Sequence, residues 1–320
     1  MSIILGAALG ALIGSRLVGF LENPMIEFSQ ENIDIWDISQ DKIQKAISWL
    51  KWKRKNLGFI DVDTLVDTSS IKKYVSSIEN DFDNIVIFWM WGSALWAKAL
   101  IEAAHGKYYN EQKQKKWKNI YILDNIDPHT IEDVRSIIDV KKTLFCFISK
   151  SGTTIEPISQ YLYFRKLCTG QSDNWKQHFC FIVWENCPMR EDLEKDFQVF
   201  LIPESTGGRF SVFTPVWLVP LAFTWVDIDE YLEGVAESRD TFLSEDINEN
   251  IPLKLAVVQS EMYKKQGIDT SVLFSYSSRL FQFGEWYKQL LAESIGKDGI
   301  GITPVSSIWA SDQHSELQLY

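Results

Sequence analysis

Residues 143–157 read TLFCFISKSGTTIEP, and the predicted architecture of the chain follows from this stretch. The apolar run over residues 144–148 predicts a short strand that is buried on both faces. The hydroxyl-rich turn after it leads into apolar positions at Ile158, Tyr161 and Leu162, which indicate a helix. Such a turn presents N–H groups and hydroxyls at the positive end of a helix, where a phosphate dianion is stabilised. Taken alone, the turn favours an ordinary Ser/Thr helix cap, and motifs further along the chain change that interpretation.

Length and composition limit the classes of protein to consider. The chain has 320 residues, 46% of them hydrophobic and 23% charged, which is enough for one large or two ordinary domains with a sizeable core. The net charge of -11 argues against general nucleic-acid binding, although a local pocket can still bind a small anion. The four cysteines are irregularly spaced, so they indicate neither a zinc site nor a disulfide framework, and reduced cytoplasmic thiols are the simplest interpretation.

The N-terminal stretch over residues 2–21 is glycine-rich and apolar, and it is long enough to span a bilayer. Arg16 lies inside it, and no basic region precedes it, which argues against a membrane helix and against a signal peptide. We expect a packed, helix-biased segment here, or a wrongly chosen start of translation. No membrane association is expected.

Five apolar runs recur along the first two thirds of the chain, at residues 84–91, 119–124, 143–149, 179–183 and 197–202. Most of the segments between them are long enough to hold a helix. Strands that alternate with helices predict a parallel sheet covered on both faces, with ligands outside the carboxyl ends of the strands. Polar and glycine-rich turns follow several of these runs, at residues 92–93, 124–128, 149–154 and 206–211.

A second α/β unit is expected to follow the first. A charged linker is predicted over residues 229–250, a helix over 253–265, a sixth strand over 271–276 and a helix over 279–292. The fold class is therefore α/β, with two parallel sheets flanked by helices, the second one incomplete. The expected domains are an N-terminal helical segment (1–55), a first domain (56–235) and the start of a second domain (236–320).

Four motifs make the chain resemble the bacterial-type glucose-6-phosphate isomerases. They are SKSGTT at residues 149–154, GGRFS at 207–211, AESIGK at 292–297 and DQHS at 312–315, in the order and approximate spacing of that family. Together they are a specific signal, whereas each alone is weak. The resemblance covers residues 81–320 and implies two sugar-isomerase (SIS) domains, which agrees with the strand pattern.

The chemistry of such an enzyme requires three kinds of catalytic group. Aldose–ketose interconversion needs a base that moves a proton between C1 and C2, an acid/base group that opens the sugar ring, and a cation that stabilises the enediolate. The resemblance implies that Glu293 is the base, His314 opens the ring and Arg209 is the cation. Glu293 falls at the end of a predicted helix, where the macrodipole disfavours a carboxylate. No metal or other cofactor is required, and the four histidines lack ligand spacing.

The resemblance also implies the substrate contacts and the partners. The residues that match phosphate-binding positions are Ser93, Ser149, Ser151, Thr153 and Thr154, and those that match other substrate contacts are Gly92 and Gln289. The implied protein is a cytoplasmic homodimer in which His314 is supplied by the neighbouring subunit.

Tryptophans stand at several positions where the family has glycine, namely Trp89, Trp91, Trp96, Trp217 and Trp309, with Trp225 as a further candidate. An indole does not fit a turn that needs a positive φ or a close approach of the backbone. Our hypothesis is that glycine codons were translated as tryptophan in this sequence. If the codons are ordinary tryptophan codons, an impaired phosphate loop is expected instead.

The chain also stops soon after the motif at residues 312–315, whereas the family continues well beyond it and supplies a further lysine for ring opening. We therefore expect a fragment of a longer protein.

Other functions remain compatible with the sequence. One is a catalytically silent SIS module that senses a sugar phosphate, although retention of Arg209, Glu293 and His314 argues for catalysis. Another is an isomerase that acts on both glucose and mannose phosphates. A third is a different SIS isomerase, such as a phosphomannose isomerase or the isomerase half of a hexosamine-phosphate synthase. The motifs at 293–297 and 312–315 argue against the hexosamine enzyme.

Overall fold

The computed structural model describes residues 40–90, 92–246 and 249–320, without the side chains of residues 40, 92–94 and 96. The expectation for residues 2–21 therefore lies outside the described residues, and so does the expectation for Trp91. Within the described ranges, none of the helices combines the length and the apolar character that crossing a bilayer would need.

The helices and strands follow one another in the alternating order expected of an α/β chain. In chain order they are α1 (Gln40–Lys53), α2 (Thr68–Ile78), β1 (Asn84–Phe88), α3 (Gly92–His105), β2 (Asn119–Leu123), α4 (Pro128–Ile137), β3 (Thr143–Ser149), α5 (Ile155–Thr169), β4 (Phe179–Trp184), α6 (Arg190–Glu194), β5 (Gln198–Ile202), α7 (Pro215–Ala222), α8 (Ile228–Leu243), α9 (Ile251–Glu261), β6 (Thr270–Ser275), α10 (Phe281–Ile295), β7 (Thr303–Ile308) and α11 (Ser311–Ser315). A 3-10 helix over Gly208–Phe213 lies between β5 and α7.

The described chain divides into two compact units. One is Thr64–Ile228, which contains the first sheet. The other combines residues 40–63 with Asp229–Tyr320 and contains the second sheet. The domain boundaries expected after residues 55 and 235 stay a prediction.

The first sheet has five parallel strands in the order β2-β1-β3-β4-β5. The predicted α/β class is confirmed, and each of the five predicted strands is present. The first strand is shorter than predicted, because it ends at Phe88 and not at residue 91. Every residue of β1, β3 and β4 is buried, which is why these strands appear in the sequence as continuous apolar runs.

Aromatic side chains fill the space between this sheet and α5. Phe145 of β3 lies 5.6 Å from Phe88 of β1 and 4.8 Å from Phe164 of α5, measured between ring centroids. All three rings are fully buried. Burying large side chains of this kind stabilises the fold by about 1.5–3 kcal/mol each before the entropy of ordering them is counted.

The strand order determines where a ligand can bind. The chain moves from β1 to β2 on one side and then crosses to β3 on the other side, so the order reverses between β1 and β3. Connections that leave in opposite directions open a crevice outside the carboxyl ends of these two strands. The turns that follow β1 and β3 therefore border the expected ligand crevice.

The second unit is built around two parallel strands, β6 and β7, joined through α10. Ile43 and Ile47 of α1 pack against Leu253 of α9, which attaches α1 to this unit. Only β6 was predicted. β7 was not, because its sequence TPVSSI lacks an apolar run.

The prediction of a charged linker over residues 229–250 was wrong. Most of this segment forms the helix α8, and its large buried apolar side chains are Ile228, Tyr231, Leu232, Val235 and Phe242. They recur at intervals of three to four and seven, so one face of α8 is apolar and the charges occupy the other.

Candidate active site

The hydroxyl-rich turn after β3 folds into a compact loop held by its own side chains. Ser149 Oγ accepts a hydrogen bond from the Gly152 N–H at 3.1 Å and lies 3.2 Å from Thr154 Oγ1. Ser151 Oγ accepts from the Thr153 N–H at 3.2 Å and lies 2.7 Å from Thr153 Oγ1. The loop thus gathers four hydroxyls immediately before the first turn of α5, where the helix dipole favours an anion.

Gly152 is the residue that allows this loop to turn so tightly. Its φ is +71°, a left-handed conformation that residues with a side chain rarely adopt. A Cβ at this position would stand 3.0 Å from both Cys187 Sγ and Met189 Sδ. The segment after β4 therefore packs against the loop where Gly152 has no side chain. Neither sulfur residue was singled out from the sequence.

The predicted residues Gly92 and Ser93 begin α3, directly after β1. β1 and β3 are neighbours in the sheet, with Phe88 in register with Phe147, so this helix start lies beside the 149–154 loop. The side chain of Ser93 is outside the described part of the structure, and its contact with phosphate stays a prediction.

Arg209 lies in the 3-10 helix after β5, and this helix contacts α3 and α7. Its guanidinium lies over the Phe210 ring, 4.8 Å from the centroid. The Thr206 carbonyl just before the motif accepts a hydrogen bond from Trp184 Nε1 at 2.8 Å, which ties the segment to the end of β4. Contact with α3 brings the Arg209 segment to the helix that begins at the switch point.

Gln289 and Glu293 lie one turn apart on α10. Gln289 Nε2 donates to Glu293 Oε2 at 3.4 Å, and Lys297 Nζ donates to the Glu293 carbonyl at 3.2 Å. Glu293 is exposed and occupies the last turn of the helix, as predicted.

His314 is exposed on α11, a single helical turn that follows β7. It lies at the opposite end of the second sheet from Glu293. Gly284, in the first turn of α10, is packed against Ser306 near the end of β7, whereas Gly301, just before β7, is packed against Gly296 at the end of α10. Gly284 and Glu293 are therefore separated along α10 by about 13 Å, at the helical rise of about 1.5 Å per residue.

The predicted site residues are thus divided between the two units. The residues Gly92, Ser93, Ser149, Ser151, Thr153, Thr154 and Arg209 belong to Thr64–Ile228, and the residues Gln289, Glu293 and His314 belong to the other unit. Among the described residues, no group of three or more His, Cys, Asp or Glu side chains is placed to hold a metal ion.

Comparison with known proteins identifies the class. The structure resembles a glucose-6-phosphate isomerase from Chlamydia trachomatis D/UW-3/Cx, with a TM-score of 0.74 at 22% identity, over 87% of this chain and 62% of that one. At this identity the likeness shows the fold alone, a parallel α/β sheet flanked by helices.

Two relatives and a family model make the assignment more specific. A glucose-6-phosphate isomerase from Methanocaldococcus jannaschii is 37% identical over 92% of this chain and 72% of its own length. A probable glucose-6-phosphate isomerase from Methanococcus maripaludis is 35% identical over 91% of this chain and 67% of its own length. The model of phosphoglucose isomerase matches residues 62–307. The chain belongs to the phosphoglucose isomerase family.

Proposed function

We propose that the protein interconverts glucose 6-phosphate and fructose 6-phosphate through an enediolate intermediate. The observation that carries the proposal is the position of the 149–154 loop, at the switch point of a parallel sheet in a chain of this family. The loop offers four hydroxyls at a helix N-terminus, a chemistry that suits the phosphate common to both sugars.

The proposed reaction has three steps. His314 transfers a proton to the ring oxygen as the ring C–O bond breaks, the anomeric hydroxyl releases its proton to water, and the imidazole is reprotonated from solvent. Glu293 then removes the C2 proton, and the electron pair of the C–H bond forms the C1–C2 double bond of the enediolate. The same carboxyl returns the proton to C1 while the O2 hydroxyl proton moves to O1 through solvent, so C2 becomes the carbonyl carbon, the base is regenerated and no proton is consumed.

Arg209 has an electrostatic role in this scheme. The enediolate carries negative charge on oxygen, and a fixed guanidinium stabilises that charge without reorganisation. The Phe210 ring beneath the guanidinium supports its orientation. Gln289 donates to the carboxylate of Glu293 at 3.4 Å, and we assign it a part in orienting that carboxylate.

We further propose a cytoplasmic homodimer in which His314 serves the active site of the neighbouring copy. Support comes from the second unit, where Glu293 and His314 lie at opposite ends of one sheet. Two groups that act on adjacent atoms of one sugar must lie within a few ångströms of it, and this pair in one subunit does not meet that condition. The net charge of -11 gives no reason to expect nucleic acid as a partner.

The test is a coupled assay of fructose 6-phosphate conversion, combined with deuterium incorporation at C2 from heavy water. We expect Glu293→Gln to lower both rates by at least about a hundredfold, because the amide cannot accept the proton. Phosphate binding should persist in this variant. Glu285→Gln is the matched control, because Glu285 lies on the same helix and pairs with Lys288 at 2.5 Å.

The outcomes separate the proposal from its rivals. Exchange that is unchanged in Glu293→Gln contradicts the role of this residue. Sugar-phosphate binding without turnover in the native protein selects the silent SIS module. Turnover of mannose 6-phosphate at a comparable rate identifies the dual isomerase.

A further inference from the structure

The helical turn that carries His314 needs support from outside itself. α11 has five residues, and a helix of this length is not stable in isolation because its nucleation is unfavourable. His314 makes one backbone hydrogen bond within the turn, from its N–H to the Ala310 carbonyl at 3.3 Å. The orientation of its imidazole therefore depends on what ties the two ends of α11 to the rest of the unit.

The C-terminal side of the turn is tied through Glu316. Its Oε2 accepts hydrogen bonds from Ser307 Oγ at 3.0 Å and from the Tyr320 hydroxyl at 2.7 Å. Ser307 Oγ and the Tyr320 hydroxyl are also 2.9 Å apart, so the three groups form a closed triangle. Ser307 is fully buried in β7, which makes it a fixed anchor for the carboxylate.

The N-terminal side of the turn is tied through Asp312. Its Oδ2 accepts a hydrogen bond from the Ile308 N–H at 2.7 Å. Ile308 is the last residue of β7 and is held in register with Ser275 of β6. Charge-assisted bonds of this kind are shorter and stronger than those between neutral groups.

Both ties lie on the same side of the turn. Asp312 and Glu316 are four residues apart, so they share one helical face, and that face is fastened to β7. His314 is two residues from each and lies on the other face, where it is exposed. The arrangement fixes the backbone on one side and leaves the imidazole open on the other.

We propose that Asp312, Glu316, Ser307 and Tyr320 form a clamp that positions His314 for ring opening. The proposal rests on the proposed isomerase function, because ring opening is the step assigned to His314. None of the four residues is assigned contact with the sugar. They act through the imidazole, whose misplacement by about 1 Å can slow a reaction by as much as a hundredfold.

A positioning role can be distinguished from a general structural role by the choice of substrate. Hexose 6-phosphates are mostly cyclic and require ring opening before the proton transfer. A tetrose 4-phosphate cannot close a five-membered ring, because the hydroxyl that would close it carries the phosphate. Its isomerisation uses the base Glu293 and the cation Arg209, which stabilises the enediolate, but it needs no ring opening. Loss of the clamp should therefore affect the hexose and spare the tetrose.

The experiment compares turnover of fructose 6-phosphate and of erythrose 4-phosphate in the full-length protein. We expect Glu316→Ala to lower kcat for the hexose by about tenfold and to change kcat for the tetrose by less than about twofold. Glu316→Gln keeps an acceptor oxygen and should restore most of the hexose rate. Tyr320→Phe removes a single hydroxyl from a half-exposed side chain and should give a smaller loss in the same direction.

The control is Asp41→Ala, which removes an exposed carboxylate paired with Lys45 on α1. It should change neither rate. An equal fall of kcat for both substrates in Glu316→Ala overturns the clamp. So does an unchanged kcat for both substrates in Glu316→Ala and in Tyr320→Phe. If the unaltered protein isomerises neither sugar, the proposed function fails first and the clamp fails with it.

Discussion

Gly152 is the residue on which the conformation of the 149–154 loop depends most directly. Its φ of +71° is strained for any residue with a side chain, and the space for a Cβ is taken by Cys187 and Met189. We expect Gly152→Ala to displace the loop and to lower the affinity for inorganic phosphate by at least about tenfold. Forcing alanine into a left-handed conformation should also lower the free energy of unfolding by about 1–2 kcal/mol.

Calorimetric titration with inorganic phosphate measures the first effect of Gly152→Ala, and urea unfolding measures the second. Gly170→Ala is the matched control, because Gly170 has an ordinary φ of -79° and a Cβ there meets its neighbours at 3.6 Å. An alanine at 152 that leaves phosphate affinity unchanged would show that the loop does not bind the anion.

The backbone of Trp225 is also strained, because it adopts a left-handed conformation. Its φ is +65°, in the left-handed region, and its side chain is 60% exposed, so little packing offsets the strain. We expect Trp225→Gly to raise the free energy of unfolding by about 1 kcal/mol, and Trp225→Ala to gain less because a Cβ remains. Urea denaturation of both variants provides the measurement. Equal stability of all three proteins would contradict the prediction.

The strain at Trp225 bears on the hypothesis that glycine codons were translated as tryptophan. Trp217 adds a second anomaly, because its indole N–H is buried with no hydrogen-bond partner among the described residues. The backbone at Trp89 and Trp309 has no positive φ, so its conformation does not require glycine at either position. The hypothesis stays a prediction for every position, and the intact mass of the natural protein decides it.

Among the elements, the strands of the first sheet were the most predictable, because burial on both faces leaves continuous apolar runs such as the one before Ser149. The helix α8 was missed although its pattern was present. Charged residues of its exposed face interrupt the sequence, and the apolar residues between them are visible only at helical spacing. β7 could not be found in this way, since Pro304 and two serines make a strand only through pairing with β6.

The candidate site was predictable to the extent that motifs mark it. The loop at 149–154 and the helix end at Glu293 lie where the motifs indicated. The supporting residues were not predicted, because their relevance depends on tertiary contacts. Cys187 lies 35 residues after Gly152, and only the fold places its sulfur against the loop. Nothing in the sequence distinguishes Glu316 from an ordinary surface carboxylate. Only its hydrogen bond from Ser307 indicates a supporting role.

An ion cluster links residues 54–63 to α8 within the unit that contains the second sheet, and it predicts that stability depends on pH. Arg54 donates to Asp61 at 2.8 Å, and Arg239 of α8 contacts both Asp61 and Asp63. The hydrogen bond from Arg54 lowers the pKa of Asp61, although partial burial opposes the shift. A lowered pKa stabilises the fold above the ordinary aspartate pKa of about 4, and this contribution is lost as the pH falls below it.

We therefore expect Asp61→Asn to lower the free energy of unfolding by about 1 kcal/mol at pH 7. The difference from the unaltered protein should shrink as the pH falls below about 4, because the unfolded chain then binds a proton at Asp61 that the native carboxylate takes up only at lower pH. Urea unfolding at a series of pH values from about 7 to 3 measures it. Asp41→Asn, at an exposed pair on α1, should show little effect at any pH. A difference that stays constant across the series contradicts the assignment.

For the whole molecule, the separation of Glu293 and His314 raises the question of which copies complete an active site. α10 runs antiparallel to β7, so the end of the helix and the end of the strand point in opposite directions. One subunit that contributed both groups to one sugar would have to bring together two opposite ends of a sheet. Two copies related by a twofold axis satisfy the same requirement reciprocally, because each supplies the group that the other site lacks.

Mixed dimers test this arrangement. Glu293→Gln and His314→Ala should each be inactive as homodimers. In a mixed dimer, one site receives both altered residues, and the other receives an intact Glu293 from one copy and an intact His314 from its partner. Random re-pairing of equal amounts makes half of the dimers mixed, so the recovered activity should be about a quarter of that of the unaltered protein. If both groups served the site of their own subunit, every site in the mixture would lack one group, and mixing would restore no activity.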